Sequence, residues 1–145
     1  MRYFDASALA KRYFEEEGSD LVLALLRDSL LVSSRLSEVE ISSALARRWR
    51  EGRFTREDLD RALASLERDF QRVAVVELRP SVVSLARDLL LRHALRAGDA
   101  IQLASGVLLK EGGFELEFVA FDNRLNAAAR DEGLTVVFDP AAPAP

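Results

Sequence analysis

Four acidic residues lie at positions where carboxylates could do chemistry. Asp5 and Asp122 each directly follow a short apolar segment that predicts a β-strand, and Asp99 opens a predicted helix. Glu40 lies in the first turn of another predicted helix. If the two strands are parallel neighbours, their carboxyl ends meet at one edge of the sheet, where open sheets of this kind bind ligands. All four side chains are therefore candidates for the same crevice.

Carboxylates gathered in a crevice repel one another, and burying an unpaired charge is costly. Divalent cations relieve that repulsion. The chain has no cysteine and a single histidine, His93, so its oxygen ligands favour magnesium or manganese over zinc. A metal held in this way lowers the pKa of a bound water and stabilises charge on a phosphate group. Hydrolysis of a phosphodiester bond is the chemistry that fits this donor set best.

Each acid also has a purely structural interpretation. Asp5 and Asp122 are in position to N-cap the helices that follow them. Asp99 and Gln102 have the spacing of a capping box. For any one of these residues taken alone, capping explains the pattern better than catalysis does. Only the convergence of several acids on one edge of the sheet favours a functional site.

Spacing does not settle which glutamate of the helix predicted at 36–51 belongs to this set. Glu38 shares the apolar stripe of the helix with Ile41. Ser37 and Glu40 also have the spacing of a capping box. The residues by themselves leave Glu38 and Glu40 as alternatives.

The elements that must position these acids alternate between short apolar strands and longer amphipathic helices. This alternation predicts an α/β domain, with a mostly parallel sheet covered by helices on both faces. The predicted strands cover residues 2–4, 30–33, 73–78, 118–121 and 135–138. The predicted helices cover residues 7–14, 19–29, 36–51, 55–70, 81–95, 100–110 and 124–132.

The composition is typical of one globular domain. The chain has 145 residues, of which 49% are hydrophobic, and its formal net charge is −4. We expect one domain over residues 1–139 and a disordered tail of proline and alanine at 140–145. No apolar run suits a signal peptide or a membrane span, so we expect a cytoplasmic protein. The acidic balance argues against a protein that coats nucleic acid, but not against a nuclease with a carboxylate site.

Arginine supplies nearly all of the positive charge, and one group of arginines crowds the end of a predicted helix and the turn after it. The group consists of Arg47, Arg48, Arg50, Arg53 and Arg56. These side chains could bind RNA phosphates beside the acids, which would make binding salt-sensitive. A solvated helix terminus explains them equally well, because cations suit the negative end of the helix dipole.

Four segments, taken in order, resemble the motifs of PIN-domain proteins, and most closely those of the VapC-type toxins of bacterial and archaeal toxin–antitoxin pairs. The segments are residues 3–13 (YFDASALAKRY), 40–45 (EISSAL), 95–104 (LRAGDAIQLA) and 121–125 (FDNRL). The resemblance runs from the first residues to about Val137. It implies a three-layer PIN-like fold, in which helices flank a five-stranded parallel sheet of order 3-2-1-4-5.

The resemblance implies a metal-dependent ribonuclease with a site of four acids. The ligands of one or two magnesium or manganese ions would be Asp5, Glu40, Asp99 and Asp122. This favours Glu40 over Glu38. Ser7 matches the family's hydroxyl two residues after the first aspartate, which helps to position that acid or the metal-bound water.

One position departs from the family pattern. The family often has threonine or serine two residues before the last aspartate, where this chain has Ala120. The missing hydroxyl puts a hydrogen bond behind the metal ligands in doubt. It is also the one sequence feature that favours the alternative function, a non-catalytic PIN-fold module that binds RNA or protein.

The resemblance further implies partners. VapC-type proteins cleave RNA, commonly transfer or ribosomal RNA, and a cognate antitoxin holds them inactive. Homodimers are usual in the family. In this chain the apolar segment at 21–31 suits either such an interface or the core.

Overall fold

The computed structural model describes residues 1–138, so the tail predicted at 140–145 lies outside the described residues. Within residues 1–138, five strands form one sheet in the order β3-β2-β1-β4-β5, and every neighbouring pair is parallel. The strands are β1 (Arg2–Phe4), β2 (Leu31–Ser34), β3 (Ala74–Val76), β4 (Glu117–Val119) and β5 (Thr135–Val136). The predicted fold class and strand order are confirmed.

Helices connect the strands and begin at local sequence signals. Thr55 caps the helix Arg56–Phe70 through a capping box with Asp58, and Pro80 occupies the first turn of the helix Pro80–Arg92. In the described range no helix is both long and apolar enough to cross a bilayer. The helices are α1 (Ala6–Ala10), α2 (Ser19–Arg27), α3 (Leu36–Arg50), α4 (Arg56–Phe70), α5 (Pro80–Arg92), α6 (Ala97–Glu111) and α7 (Asn123–Asp131).

The sheet has a hydrophobic core on each face, because successive side chains along a strand point to opposite sides. Tyr3 of β1 joins the core under α5, α6 and α7, whereas the next residue, Phe4, joins the core under α1 to α4. Phe118 and Val119 of β4 divide in the same way. β1 and β4 are thus held at the centre of the sheet. The strand order reverses between them, so their carboxyl ends form the edge where such sheets bind ligands.

Two predicted boundaries were wrong, at the start of α6 and the end of β4, and each difference changes how an acid is placed. α6 begins two residues before Asp99, so this residue lies inside the first turn rather than ahead of it. α3 begins at Leu36, as predicted, but Glu40 is its fifth residue and so lies in the second turn rather than the first. β4 ends three residues before Asp122. β4 stops at Val119 because Val119 pairs with Phe4, the last residue of β1. β1 offers no further residue with which β4 could pair.

The apolar segment at 21–31 is divided between core and surface. Val22 is buried and Leu25 is half-buried in the core on the α1–α4 face. Leu21 and Leu30 are exposed. Val22 and Leu25 therefore belong to the core, whereas Leu21 and Leu30 leave a small apolar surface.

Candidate active site

Asp5 is placed by the turn from β1 to α1. Its backbone N–H donates to the Val119 carbonyl at 3.0 Å, and its carboxylate caps α1 by accepting from the Ala8 N–H at 2.8 Å. The Ser7 hydroxyl donates to the same carboxylate at 2.8 Å. Burial raises the pKa of Asp5 to about 7, even though the Ala8 and Ser7 hydrogen bonds lower it. The predicted N-cap is confirmed, and the capping side chain is a buried acid held in one orientation.

Glu40 projects from α3 against the first turns of α6. Gln102 Nε2 donates to its carboxylate at 2.8 Å. A methyl group added at Gly98 would lie only 2.5 Å from Glu40 Oε1, closer than real side chains approach. Burial and the charge of Asp99 raise the pKa of Glu40, whereas the hydrogen bond from Gln102 lowers it. Glu40 is therefore confined between two residues of the helix that carries Asp99.

A buried hydrogen-bond network lies behind Glu40, and the sequence did not predict it. The Tyr3 hydroxyl donates to Gln102 Oε1 at 2.7 Å, and Gln102 Nε2 donates to the Ser37 hydroxyl at 3.0 Å. Gln102 is 1% exposed, so an unbonded amide there would be costly. The only sequence signal was the spacing from Asp99 to Gln102, which was interpreted as a capping box. Gln102 instead connects β1 and α3 to the acid site.

Asp99 and Asp122 continue the site toward α7. Asp122 Oδ1 accepts from the Leu125 N–H at 2.9 Å, which confirms its predicted N-cap. The predicted capping box of Asp99 with Gln102 is wrong, because the N-cap of α6 is Arg96. Burial and the charge of Asp122 raise the pKa of Asp99, whereas Arg96 lowers it.

The alternative glutamate, Glu38, belongs to a surface ion-pair cluster. It pairs with Arg35 at 2.5 Å, and Arg35 also pairs with Glu77 after β3. Arg35 is the N-cap residue of α3, so the predicted capping box of Ser37 with Glu40 is wrong. Of the two glutamates, Glu40 is the one that contacts α6.

The four acids form a series of repelling charges at the carboxyl edge of the sheet. Asp5 repels Glu40, and Glu40 repels Asp99. Asp99 in turn repels Asp122, which is the exposed end of the series, while Asp5 is its buried end. Across residues 1–138, no group of three or more acidic or histidine side chains could hold a metal ion in the present arrangement of the side chains. The arrangement is a row of oxygen donors whose repulsion a cation would relieve.

Comparison with known proteins agrees with this architecture. The PIN domain family matches residues 2–131. Ribonuclease VapC49 of Mycobacterium tuberculosis is 36% identical over 135 residues, which are 92% of this chain and 92% of that protein. The chain belongs to the PIN-domain family.

Two solved structures are similar to this PIN domain in fold. A toxin–antitoxin complex from Klebsiella pneumoniae has a TM-score of 0.68 at 14% identity, over 95% of this chain and 97% of the matched chain. VapC20 of Mycobacterium tuberculosis, described as a toxin that cleaves the sarcin–ricin loop, has a TM-score of 0.67 at 19% identity. That match covers 88% of this chain and 95% of VapC20. At these identities the two structures establish the fold alone.

The position that departs from the PIN-domain pattern, Ala120, is fully buried. Its carbonyl oxygen accepts from Asn126 Nδ2 at 3.0 Å. Asn126 Oδ1 is the one buried side-chain oxygen or nitrogen atom in residues 1–138 that has no partner. The Asn126 amide thus ties α7 to the segment after β4 through the backbone, without a hydroxyl at position 120.

The five arginines that the sequence left as either phosphate contacts or a solvated helix end do not form a single patch. Arg56 pairs with Asp60 at 2.9 Å and so belongs to the surface of α4. Arg47, Arg48 and Arg53 instead line a groove beside α1. The cluster is therefore divided, and the part at the end of α3 shares its groove with Ser7, whose hydroxyl donates to Asp5.

Proposed function

We propose that this PIN-domain protein is a metal-dependent endoribonuclease, which hydrolyses RNA phosphodiester bonds and acts in the cytoplasm as the toxin of a toxin–antitoxin pair. One observation carries the proposal: mutually repelling acids lie at the edge of the sheet where the strand order reverses. VapC49, to which the chain is 36% identical over 92% of its length, is named a ribonuclease. That name supports RNA as the substrate.

The proposed site holds one or two magnesium or manganese ions. The proposed ligands are Asp5, Glu40, Asp99 and Asp122. Their all-oxygen donor set fits these hard cations, and their repulsion gives the site a reason to bind positive charge. A bound ion would lower the pKa of the attacking water and offset charge on the phosphate. Ser7 would keep Asp5 oriented through the hydrogen bond that its hydroxyl makes to the carboxylate at 2.8 Å.

The proposed partners follow from the family and from the surface. A toxin–antitoxin complex is among the similar structures, which supports a cognate antitoxin that holds the enzyme inactive. Transfer or ribosomal RNA is the proposed substrate class. Leu21 and Leu30 expose an apolar surface that supports a protein interface, and we propose a homodimer.

The first test is cleavage of total RNA and of transfer RNA by the purified protein. We expect cleavage with manganese or magnesium and none with a chelator, because water activation depends on the ion. Binding of RNA without cleavage under every metal condition would contradict the proposal. That result would favour the non-catalytic PIN-fold module.

The buried carboxyl of Asp5 predicts that the metal-free protein loses stability as the pH rises. The folded pKa is about 7, against an ordinary value of 3.8, so between these values the folded state binds more protons than the unfolded state. The free energy of unfolding therefore falls across this window and levels off above it. With chelator present, we expect a lower Tm at pH 8 than at pH 5.

The variant Asp5→Asn isolates this effect from other titrating groups, because asparagine has no proton to lose. We expect the fall in Tm between pH 5 and pH 8 to be smaller in Asp5→Asn than in the wild type. Magnesium should raise the wild-type Tm more at pH 8, where the carboxylate is ionised, than at pH 5. An unchanged pH dependence in Asp5→Asn would contradict the placement of a buried titrating acid at this position.

A further inference from the structure

A groove of about 210 Å³ lies beside the acid site, between α1 and α3. Ser7 and Ala10 of α1 form one wall. Ala44, Arg47 and Arg48 of α3 form the other, and the remaining lining residues are Phe14, Glu16, Glu51 and Arg53.

The groove begins at the proposed catalytic edge. Ser7, whose hydroxyl donates to Asp5 at 2.8 Å, lines it. Along α3, Ala44 follows Glu40 by about one turn and Arg47 by about two, which is a rise of roughly 10 Å. Ser7 and the face of α3 that carries Glu40 therefore connect the groove to the proposed catalytic acids.

Arg48 is held rigidly in the wall of the groove. Its guanidinium carbon lies 3.7 Å from the centre of the Phe14 ring, and the group pairs with Glu16 at 3.3 Å. Burial and repulsion from Arg53 and Arg47 lower the pKa of Arg48, whereas the charges of Glu16 and Glu51 raise it. The groove thus carries three arginines and two glutamates, and Glu16 is already paired with Arg48.

Two of these arginines keep their hydrogen-bonding capacity for a ligand. In the described part of the chain Arg47 is exposed and makes no ion pair. Arg53 is exposed and approaches Glu51 only to 3.9 Å, beyond hydrogen-bond distance. The fork of donors on a free guanidinium matches the paired oxygens of a phosphate.

We propose that this groove binds the RNA backbone next to the scissile bond, with Arg47 and Arg53 contacting phosphates of the strand whose reacting phosphate lies among the acids. The inference rests on the proposed function, and it names the surface along which the RNA strand would lie. RNA fits better than an acidic peptide because Ser7 both lines the groove and hydrogen-bonds to Asp5, so a strand held in the groove lies next to the acids where a phosphate would react. Contacts to phosphate fix the position of the strand and carry no base specificity.

The test is the double variant Arg47→Gln/Arg53→Gln, in the full chain. Binding of a fluorescently labelled single-stranded RNA is measured by anisotropy with chelator present, so that no cleavage occurs. We expect the Kd to rise about 10-fold and the slope of log K against log salt to become shallower by about 1.4, since two phosphate contacts are lost. With metal added, cleavage should fall at limiting RNA and recover as the RNA concentration is raised.

The matched control is Arg72→Gln/Arg87→Gln, which removes the same charge from exposed positions elsewhere. Arg72 precedes β3, at the edge of the sheet opposite the acids, and Arg87 lies on α5 over the other face. We expect its Kd to stay within about twofold of the wild type. If both double variants bind RNA equally weakly, diffuse positive charge rather than this groove accounts for the affinity, and the proposal is wrong.

The groove and the proposed function fail in different ways. A wild type that cleaves RNA, beside an Arg47→Gln/Arg53→Gln variant that binds and cleaves equally well, overturns the groove and leaves the nuclease intact. A wild type that binds RNA with the expected difference between variants, but never cleaves, supports the groove and contradicts the nuclease. If the double variant loses affinity only for a poly-glutamate peptide, the groove is a protein interface and the proposal is wrong.

Discussion

The variant Asp99→Asn is expected to abolish metal-dependent cleavage, with a fall in rate of more than about 100-fold, while the protein stays folded. The substitution keeps the size of the side chain and replaces a charged metal ligand by a neutral amide. Asp99 is one of the two inner acids of the series, since it repels both Glu40 and Asp122. Asp5→Asn is expected to have the same effect on cleavage, and asparagine at that position still caps α1.

The measurement is the initial rate of RNA cleavage in manganese, beside the metal-free Tm of each variant. Removal of a repelled charge should leave the metal-free Tm of Asp99→Asn at or above that of the wild type. The matched control is Glu38→Gln, because Glu38 lies on the same helix as Glu40 but pairs with Arg35 at the surface. We expect Glu38→Gln to cleave at the wild-type rate.

Two outcomes would contradict these assignments. An Asp99→Asn protein that keeps most of its activity would remove this residue from the set of proposed ligands. An inactive Glu38→Gln beside an active Glu40→Gln would reverse the choice between the glutamates. In either case the fold would stand, because it rests on strand order and family membership rather than on the acids.

The sequence predicted the sheet well because its strands are short, apolar and separated by helical segments. The position of Asp5 was predicted correctly because it directly follows β1 and caps α1. Both features depend only on residues that are close to Asp5 in the sequence. Asp122 was assigned to the right loop but to the wrong distance from its strand. The pairing of β4 with β1 ends at the last residue of β1. Because β1 lies far from β4 in the sequence, the residues around Asp122 do not indicate where this pairing ends.

The contacts behind Glu40 could not be predicted, since they join segments that are distant in the chain. Gln102 and Glu40 are 62 residues apart, and Tyr3 and Gln102 are 99 residues apart. The local pattern around Asp99 and Gln102 even favoured a different interpretation, a capping box. Choosing Glu40 over Glu38 therefore needed the family resemblance, and the structure supplies the physical difference between the two side chains.

Gly98 is where the local preference of the chain conflicts with the proposed function. Glycine within a helix is less favourable than alanine by about 0.5–1 kcal/mol, yet it occupies the first turn of α6. An added methyl group would lie 2.5 Å from Glu40 Oε1. The free energy of helix formation favours alanine at this position, whereas the position of the Glu40 carboxylate requires glycine.

We therefore expect Gly98→Ala to lower cleavage by about 10- to 100-fold, with a free energy of unfolding within about 1 kcal/mol of the wild type. The fold should tolerate the change, because the group displaced is the mobile end of Glu40 rather than backbone. Moving the carboxylate separates it from Gln102 and weakens the proposed metal site. The measurements are the cleavage rate, the manganese Kd by calorimetry and the denaturant midpoint.

The control for this variant is Gly112→Ala, which adds the same methyl group at the other end of α6. Gly112 has a φ of −71°, which alanine adopts without strain. The nearest atoms to its new methyl group would be the Leu108 and Leu109 carbonyl oxygens at 3.3 Å, a tight contact but well outside the 2.5 Å at Gly98. We expect Gly112→Ala to keep the wild-type manganese affinity and cleavage rate. Equal losses in both variants would mean that α6 is sensitive to any added methyl group. Unchanged manganese affinity in Gly98→Ala would mean that Glu40 is not a metal ligand, because its carboxylate cannot keep its position beside that methyl group.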